Sequence, residues 1–113
     1  DPWNATEFAQ RMEAEGFTCV EVRQGPRTLS EPMKDIERLT VQGKLIHSGD
    51  PVLKWAVSNV VATADSAGNI KPDKSKTTQR IDPAAAMFTA HARAISDTWV
   101  DLNSLISRDS YVL

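Results

Sequence analysis

The segment from Asp82 to Ile95 constrains the fold of this chain more than any other part of the sequence. Its apolar positions recur at i, i+3, i+4, i+7 and i+11, which is the spacing of one helix face: Ala84, Met87, Phe88, His91 and Ile95. Asp82 is a favoured capping residue, and Pro83 suits the first helical position. Alanines fill most of the other positions, so we expect a narrow helix that packs closely against a sheet.

Glycine and proline residues divide the rest of the chain into short elements. The patterns predict a helix from Asn4 to Gly16, a strand at Phe17–Arg23, a helix capped by Ser30 and ended by Gly43, a short helix after Asp50, and a hairpin that pairs Val60–Ala64 with Ile70–Lys71. The order of these elements predicts an α/β or α+β layered domain. Residues 1–96 form this domain, and residues 97–113 are expected to be a C-terminal tail.

Composition excludes several classes of protein. The 113 residues carry 13 Lys and Arg against 15 Asp and Glu, and no apolar run is long enough to cross a membrane. Cys19 is the only cysteine, which rules out an intramolecular disulfide and favours a reducing compartment. Two histidines and one cysteine cannot form a Cys/His zinc site. The chain starts at a helix without a methionine, so we expect it to be a piece of a longer protein.

Three residue types with potential chemistry have structural interpretations that we favour. Cys19 lies within a predicted strand, where an inert buried thiol is commoner than a nucleophile. His91 lies on an apolar helix face, which favours a hydrogen-bonded core histidine over a catalytic one. Trp55 has apolar neighbours, and we expect it in the core rather than stacked on a nucleic-acid base.

Positive charge is concentrated in one loop of this acidic chain. Lys71, Lys74, Lys76 and Arg80 are accompanied there by a single acidic residue, Asp73. Such a segment is either a solvated loop or a loop that grips phosphates.

Asp82 also has two interpretations. As a helix cap it would contribute about 1 kcal/mol of stability. A carboxylate between a strand and a helix is also where many metal-dependent nucleases hold a Mg²⁺ ligand, although the residues alone favour the cap.

Five motifs follow one another along residues 1–95. They are Asp1-Pro2-Trp3-Asn4-Ala5; Gln24-Gly25 with Leu29-Ser30-x-Pro32; Gly43-Lys44-Leu45-x-His47-x-Gly49-Asp50-Pro51-Val52-Leu53-x-Trp55; Asn59-Val60 with Asp65-x-x-Gly68-Asn69 and Pro72-x-Lys74; and Arg80-Ile81-Asp82-Pro83-Ala84-Ala85-Ala86-Met87. The series resembles the large terminase subunit of tailed bacteriophages, whose last motif is Lys-Ile-Asp-Gly-x-x-Ala. Two positions depart from the family pattern, because Pro83 replaces a glycine and Asp50 replaces a common asparagine.

The resemblance implies a partial ribonuclease H-like domain of the α/β class, a mixed sheet flanked by helices. It implies that residues 1–96 are the C-terminal part of a nuclease domain that cuts concatemeric viral DNA during genome packaging, after an ATPase domain. Catalysis in the family uses Mg²⁺ or Mn²⁺ held by carboxylates. Asp82 matches the last acidic ligand and Asp1 the middle one, whereas the first belongs to a strand before this chain. We therefore expect this chain alone to be inactive.

The resemblance also implies partners and a location. Double-stranded DNA would contact Lys71, Lys74, Lys76 and Arg80, and the terminase small subunit and the portal would bind the parent protein in the cytoplasm of the bacterial host, with no membrane partner. The alternative is a non-catalytic prophage remnant, or a DNA- or portal-docking module that retains the fold without the chemistry.

Overall fold

The computed structural model describes residues 2–96, which form four helices and one small sheet in an α/β arrangement, the class that the sequence predicts. Their order along the chain is α1 (Pro2–Ala14), α2 (Pro26–Val41), α3 (Pro51–Ser58), β1 (Ala62–Ala64), β2 (Ile70–Pro72) and α4 (Asp82–Ser96). The two strands pair antiparallel, with Thr63 opposite Lys71. None of the helices in the described range is long and apolar enough to span a membrane.

The core lies between three helices. The helix α2 packs against α4 and β2, and α3 packs against α4. The buried side chains of this core are Leu29, Met33 and Ile36 of α2, Ala56 of α3, and Ala84 and Phe88 of α4. The apolar face predicted for α4 is thus the buried one, with Ala84 0% and Phe88 5% exposed.

The surface on which α4 packs differs from the prediction. We expected a sheet, but α4 lies against α2 and α3. A strand of three residues is only about 10 Å long, whereas α4 has 15 residues and is about 22 Å long. The two short strands therefore cannot cover the helix, and other helices do so.

The helix α2 begins earlier than predicted. Gly25 is its capping residue and Pro26 its first helical residue, so Ser30 is not a cap. Ser30 is instead buried, and its Oγ accepts a hydrogen bond of 3.0 Å from the backbone N–H of Ile70 in β2. Pro32 lies inside the helix with its ring fully buried. At its other end, the helix terminates at Gly43 (φ 67°) as predicted, since the N–H of Lys44 donates to the carbonyl of Leu39.

The strand predicted at residues 17–23 is absent from the described part of the chain. The segment is extended but pairs with no other described strand, and the Phe17 side chain is 63% exposed. The β-branched residues there satisfied the propensity for a strand, but a strand exists only in a hydrogen-bonded ladder with a partner. The predicted hairpin is confirmed, and Asp50 caps α3 by accepting hydrogen bonds from the N–H groups of Val52 and Leu53.

Candidate functional site

The loop after β2 is organised by the carboxylate of Asp73. Its Oδ1 accepts hydrogen bonds from the backbone N–H of Ser75 (2.9 Å) and from Ser75 Oγ (2.6 Å). Its Oδ2 accepts a hydrogen bond of 2.6 Å from Thr63 Oγ1 on β1. Donation by Ser75 and then by Thr63 holds the pKa of Asp73 well below its usual value. The carboxylate therefore stays ionised and ties the start of the loop to the sheet.

Four cationic side chains predicted to bind DNA are distributed around this loop. Lys71 of β2 and Lys74 line a cleft of about 470 Å³, whose wall also includes Thr63 and Asp73. Lys76 Nζ lies 3.8 Å from Asp73 Oδ2 and donates to Thr63 Oγ1 at 3.3 Å. The structure thus brings Lys71 and Lys74 to one cleft and places Lys76 on the residues that form its wall.

Arg80 and Asp82 form a separate pair at the start of α4. The Arg80 Nη1 lies 4.0 Å from Asp82 Oδ2, and both side chains are mostly exposed. The helix begins at Asp82 itself, so this residue lies in the first turn rather than at the predicted capping position. The carbonyl of the preceding Ile81 accepts the N–H of Ala85, which is also a wall residue of the cleft. Asp82 is not one of the cleft's wall residues, but the cleft reaches the turn that contains it.

Asp82 differs from the other aspartates of the described range in what its carboxylate contacts. The carboxylates of Asp35, Asp50, Asp65 and Asp73 all accept hydrogen bonds from backbone or side-chain donors. The Asp82 side chain is 69% exposed and its closest cationic group is the Arg80 guanidinium, 4.0 Å away. An exposed pair of this length contributes little to stability. The Asp82 oxygens are consequently accessible to an external cation.

The described residues do not form a metal site by themselves. Within residues 2–96, no three His, Cys, Asp or Glu side chains are grouped so that they could hold a metal ion. Asp82 could supply one carboxylate ligand, and Asp1 lies outside the described residues. A metal site that includes Asp82 and two or more further side chains of these types must therefore take at least one of them from outside residues 2–96.

The three remaining candidate residues, His91, Cys19 and Trp55, have local contacts and exposures that can be compared with their predicted structural roles. His91 Nε2 lies 2.6 Å from Asp35 Oδ2, a contact between α4 and α2, so His91 is a hydrogen-bonded histidine as predicted. Cys19 is half-buried rather than fully buried, and its Sγ contacts the Ala9 carbonyl at 3.6 Å. Trp55 is 45% exposed, so its prediction as a core residue is wrong. The helix α3 has eight residues, of which Ala56 is the buried one, and the helix packs against α4. Trp55, next to Ala56 in the sequence, lies closer to the surface.

Sequence reasoning missed the roles of Gln24, Thr63 and Asp73. Asp73 was counted only as a negative charge, although an Asp two residues before a Ser is a pattern typical of an Asx turn. Thr63 has no such local signal, because its contact with Asp73 depends on the register of the hairpin. Gln24 is a wall residue of the cleft and its Nε2 donates to Thr89 Oγ1 on α4.

Comparison with known proteins identifies the family. The model of the family described as "Terminase large subunit, endonuclease domain" matches residues 1–97. The "Terminase, large subunit" of Enterobacteria phage HK97 is 37% identical over 89 residues, which cover 77% of this chain and 18% of that protein. "Protein YmfN" of Escherichia coli (strain K12) is 31% identical over 97 residues, which cover 84% of this chain and 21% of that protein.

A solved structure agrees with these matches. The crystal structure of the HK97 bacteriophage large terminase is similar with a TM-score of 0.70 and 35% identity, over 82% of this chain and 20% of that chain. The chain thus spans about a fifth of the length of the relatives it matches. The sequence motifs, the family match and the structural similarity agree, and the chain belongs to the family of terminase large subunit endonuclease domains.

Proposed function

We propose that this chain is part of a metal-dependent DNA endonuclease that cuts concatemeric viral DNA during genome packaging. In this proposal Asp82 supplies one carboxylate to the metal site, Asp1 supplies another, and the remaining ligands lie outside residues 2–96. Carboxylate oxygens are suitable ligands for Mg²⁺ and Mn²⁺. Such ions, when bound, activate water and stabilise the leaving oxygen of a phosphodiester.

The accessibility of the Asp82 carboxylate carries the proposal. In four of the five aspartates of the described range, carboxylate oxygens accept hydrogen bonds that stabilise helices and turns. Asp82 keeps its oxygens exposed, yet its backbone is well anchored, because Ile81 before it and Ala84 after it are both buried. A carboxylate on a fixed backbone with accessible oxygens is what a metal ligand requires.

The neighbouring cations support a DNA substrate. Lys71 and Lys74 line the cleft that reaches the first turn of α4. Lys76 contacts two of its wall residues, Asp73 and Thr63, and Arg80 pairs with Asp82. Exposed lysines and arginines neutralise phosphates without reading the base sequence. We propose that these four residues contact the backbone of double-stranded DNA. In the parent protein we also propose the terminase small subunit and the portal as partners, in the bacterial cytoplasm.

A chimaeric protein tests the role of Asp82. This chain replaces the matching segment of the HK97 large terminase, and cleavage of duplex DNA is measured with Mn²⁺. We expect the chimaera to cut and Asp82→Asn to abolish cutting without changing the melting temperature, because the substitution removes an exposed carboxylate that the fold does not use. Glu31→Gln is the matched control, since it removes an exposed acidic charge from α2 and should leave the rate unchanged.

Two results would contradict the proposal. If Asp82→Asn cuts at the unchanged rate, Asp82 is not a ligand of the metal site. If the folded chimaera binds DNA and never cuts it, the chain is better described as a non-catalytic docking module.

A further inference from the structure

The cationic loop, residues 71–80, contains one acidic residue, Asp73. Its carboxylate has the most extensive hydrogen-bond network in the loop. We propose that Asp73, with Thr63, is a positioning residue for DNA binding: it holds Lys74 and Lys76 where they contact phosphates, so that removing its negative charge weakens binding. This inference rests on the proposed DNA-binding role of the loop and adds to it the residues that shape the loop.

Both carboxylate oxygens of Asp73 are committed. Ser75 donates to Oδ1 from its N–H and its hydroxyl, and Thr63 donates to Oδ2 from its hydroxyl. The backbone of the same residue is fixed as well, because its N–H donates to the Val61 carbonyl at 2.7 Å. Asp73 therefore connects the strand β1 to the turn that follows β2.

Three of the cations depend on this connection for their location. Lys74 lies between Asp73 and Ser75, the two residues whose hydrogen bonds close the turn. Lys76 contacts both oxygen-bearing groups, at 3.8 Å from Asp73 Oδ2 and 3.3 Å from Thr63 Oγ1. Lys71 is the ladder partner of Thr63. The carboxylate thus fixes the frame from which these ammonium groups extend.

Two physical effects of Asp73 on DNA binding have opposite signs. A carboxylate repels phosphates, so its removal alone should strengthen binding. Loss of the hydrogen bonds, in contrast, would let the loop sample more conformations, and ordering the lysines on DNA would then cost conformational entropy. The Asp73 side chain is only 17% exposed and accepts hydrogen bonds from neighbouring donors, so its repulsion of a phosphate in solvent is small. We therefore expect the ordering effect to dominate.

The experiment measures binding of the 113-residue chain to a random-sequence DNA duplex by fluorescence anisotropy, over a series of salt concentrations. We expect Asp73→Asn to raise the Kd and to reduce the salt slope by about 0.9 for each phosphate that the loop no longer neutralises. Thr63→Val removes the hydroxyl without changing any charge, and it should act in the same direction. Thr63→Ser keeps the hydroxyl and removes only a methyl group, so it should bind like the unmodified chain. Glu31→Gln, which removes a distant acidic charge, should not raise the Kd.

The outcomes separate this inference from the function it rests on. If Asp73→Asn binds more tightly and Thr63→Val is unchanged, Asp73 is only a repulsive charge and the inference is wrong. Lys74→Ala and Lys76→Ala test the loop itself, since an unchanged salt slope there would reject its DNA-binding role. If Asp73→Asn fails to fold, the comparison of Thr63→Val with Thr63→Ser decides, because equal affinities for those two variants would also overturn the inference.

Discussion

The complete burial of Ala84 makes a strong prediction about stability. Ala84 lies on the face of α4 that packs against α2 and α3, and α3 buries an alanine of its own, Ala56. Ala84→Asp would place a carboxylate among apolar side chains that offer it no counter-charge: Leu29, Met33, Ile36 and Phe88. Ala86→Asp is the matched control, because Ala86 is two residues away on the same helix and exposed.

The expected difference in stability between the two variants follows from comparing the two substitutions. Both lose helix propensity, by up to about 0.7 kcal/mol, relative to alanine. Only Ala84→Asp also buries an uncompensated charge, which costs about 3–5 kcal/mol. Domains of this size have total stabilities of about 5–15 kcal/mol. We therefore expect Ala86→Asp to fold normally and Ala84→Asp to be severely destabilised at neutral pH.

Urea unfolding followed by circular dichroism, repeated across a pH series, is the assay. Burial raises the pKa of the introduced carboxyl, so the deficit of Ala84→Asp should shrink as the pH falls and the group becomes neutral. Ala84→Val has a side chain of similar size and separates crowding from charge, since crowding costs about 1–3 kcal/mol at every pH. The reasoning is refuted if Ala84→Asp and Ala86→Asp unfold at the same urea concentration throughout the series.

Two further predictions concern charged side chains. Replacing Lys74 and Lys76 with alanine should weaken DNA binding equally for duplexes of different sequence, because phosphate contacts carry no base information. Fluorescence anisotropy with several duplexes measures the loss of affinity for each, and a loss that depends on the sequence would contradict the prediction. Hydrogen bonds from Arg38 and then His91 hold the pKa of Asp35 below its ordinary value of 3.8. These contacts therefore stabilise the fold above pH 3.8, and their contribution to stability is lost as the pH falls through the lowered pKa. The urea midpoint of the unmodified chain should therefore fall towards that of Asp35→Asn as the pH drops below 3.8, and a difference between the two that does not shrink in this acid range would show that Asp35 does not titrate as its contacts imply.

Local patterns were sufficient for the elements whose cause is local. The apolar face of α4, the start of α3 after Asp50 and the glycine at the end of α2 were all predicted, because each depends on residues within a few positions of one another. The start of α2 was not, because Ser30 is a good capping residue by type. Its hydroxyl is used by Ile70, 40 residues away, and only the packing of β2 on α2 brings the two together.

The candidate site shows the same division between local and distant causes. The cluster of Lys71, Lys74, Lys76 and Arg80 is visible in the sequence as a change in local charge. Its organisation by Asp73 and Thr63 is not, because ten residues and a strand register separate the two side chains. The accessibility of Asp82 is also a property of the folded chain, since the sequence alone could not distinguish it from the other aspartates.

The hydrogen bond between Ile70 and Ser30 has a consequence for self-association. In the ladder of β1 and β2, Thr63 pairs with Lys71, so the N–H groups of residues 70 and 72 point away from β1. The first of these donates to Ser30 Oγ, and the second position is Pro72, which has no N–H. The outer edge of β2 therefore offers an incoming strand no amide donor from residues 70 and 72, which makes this edge a poor template for the edge-to-edge pairing that leads to aggregation.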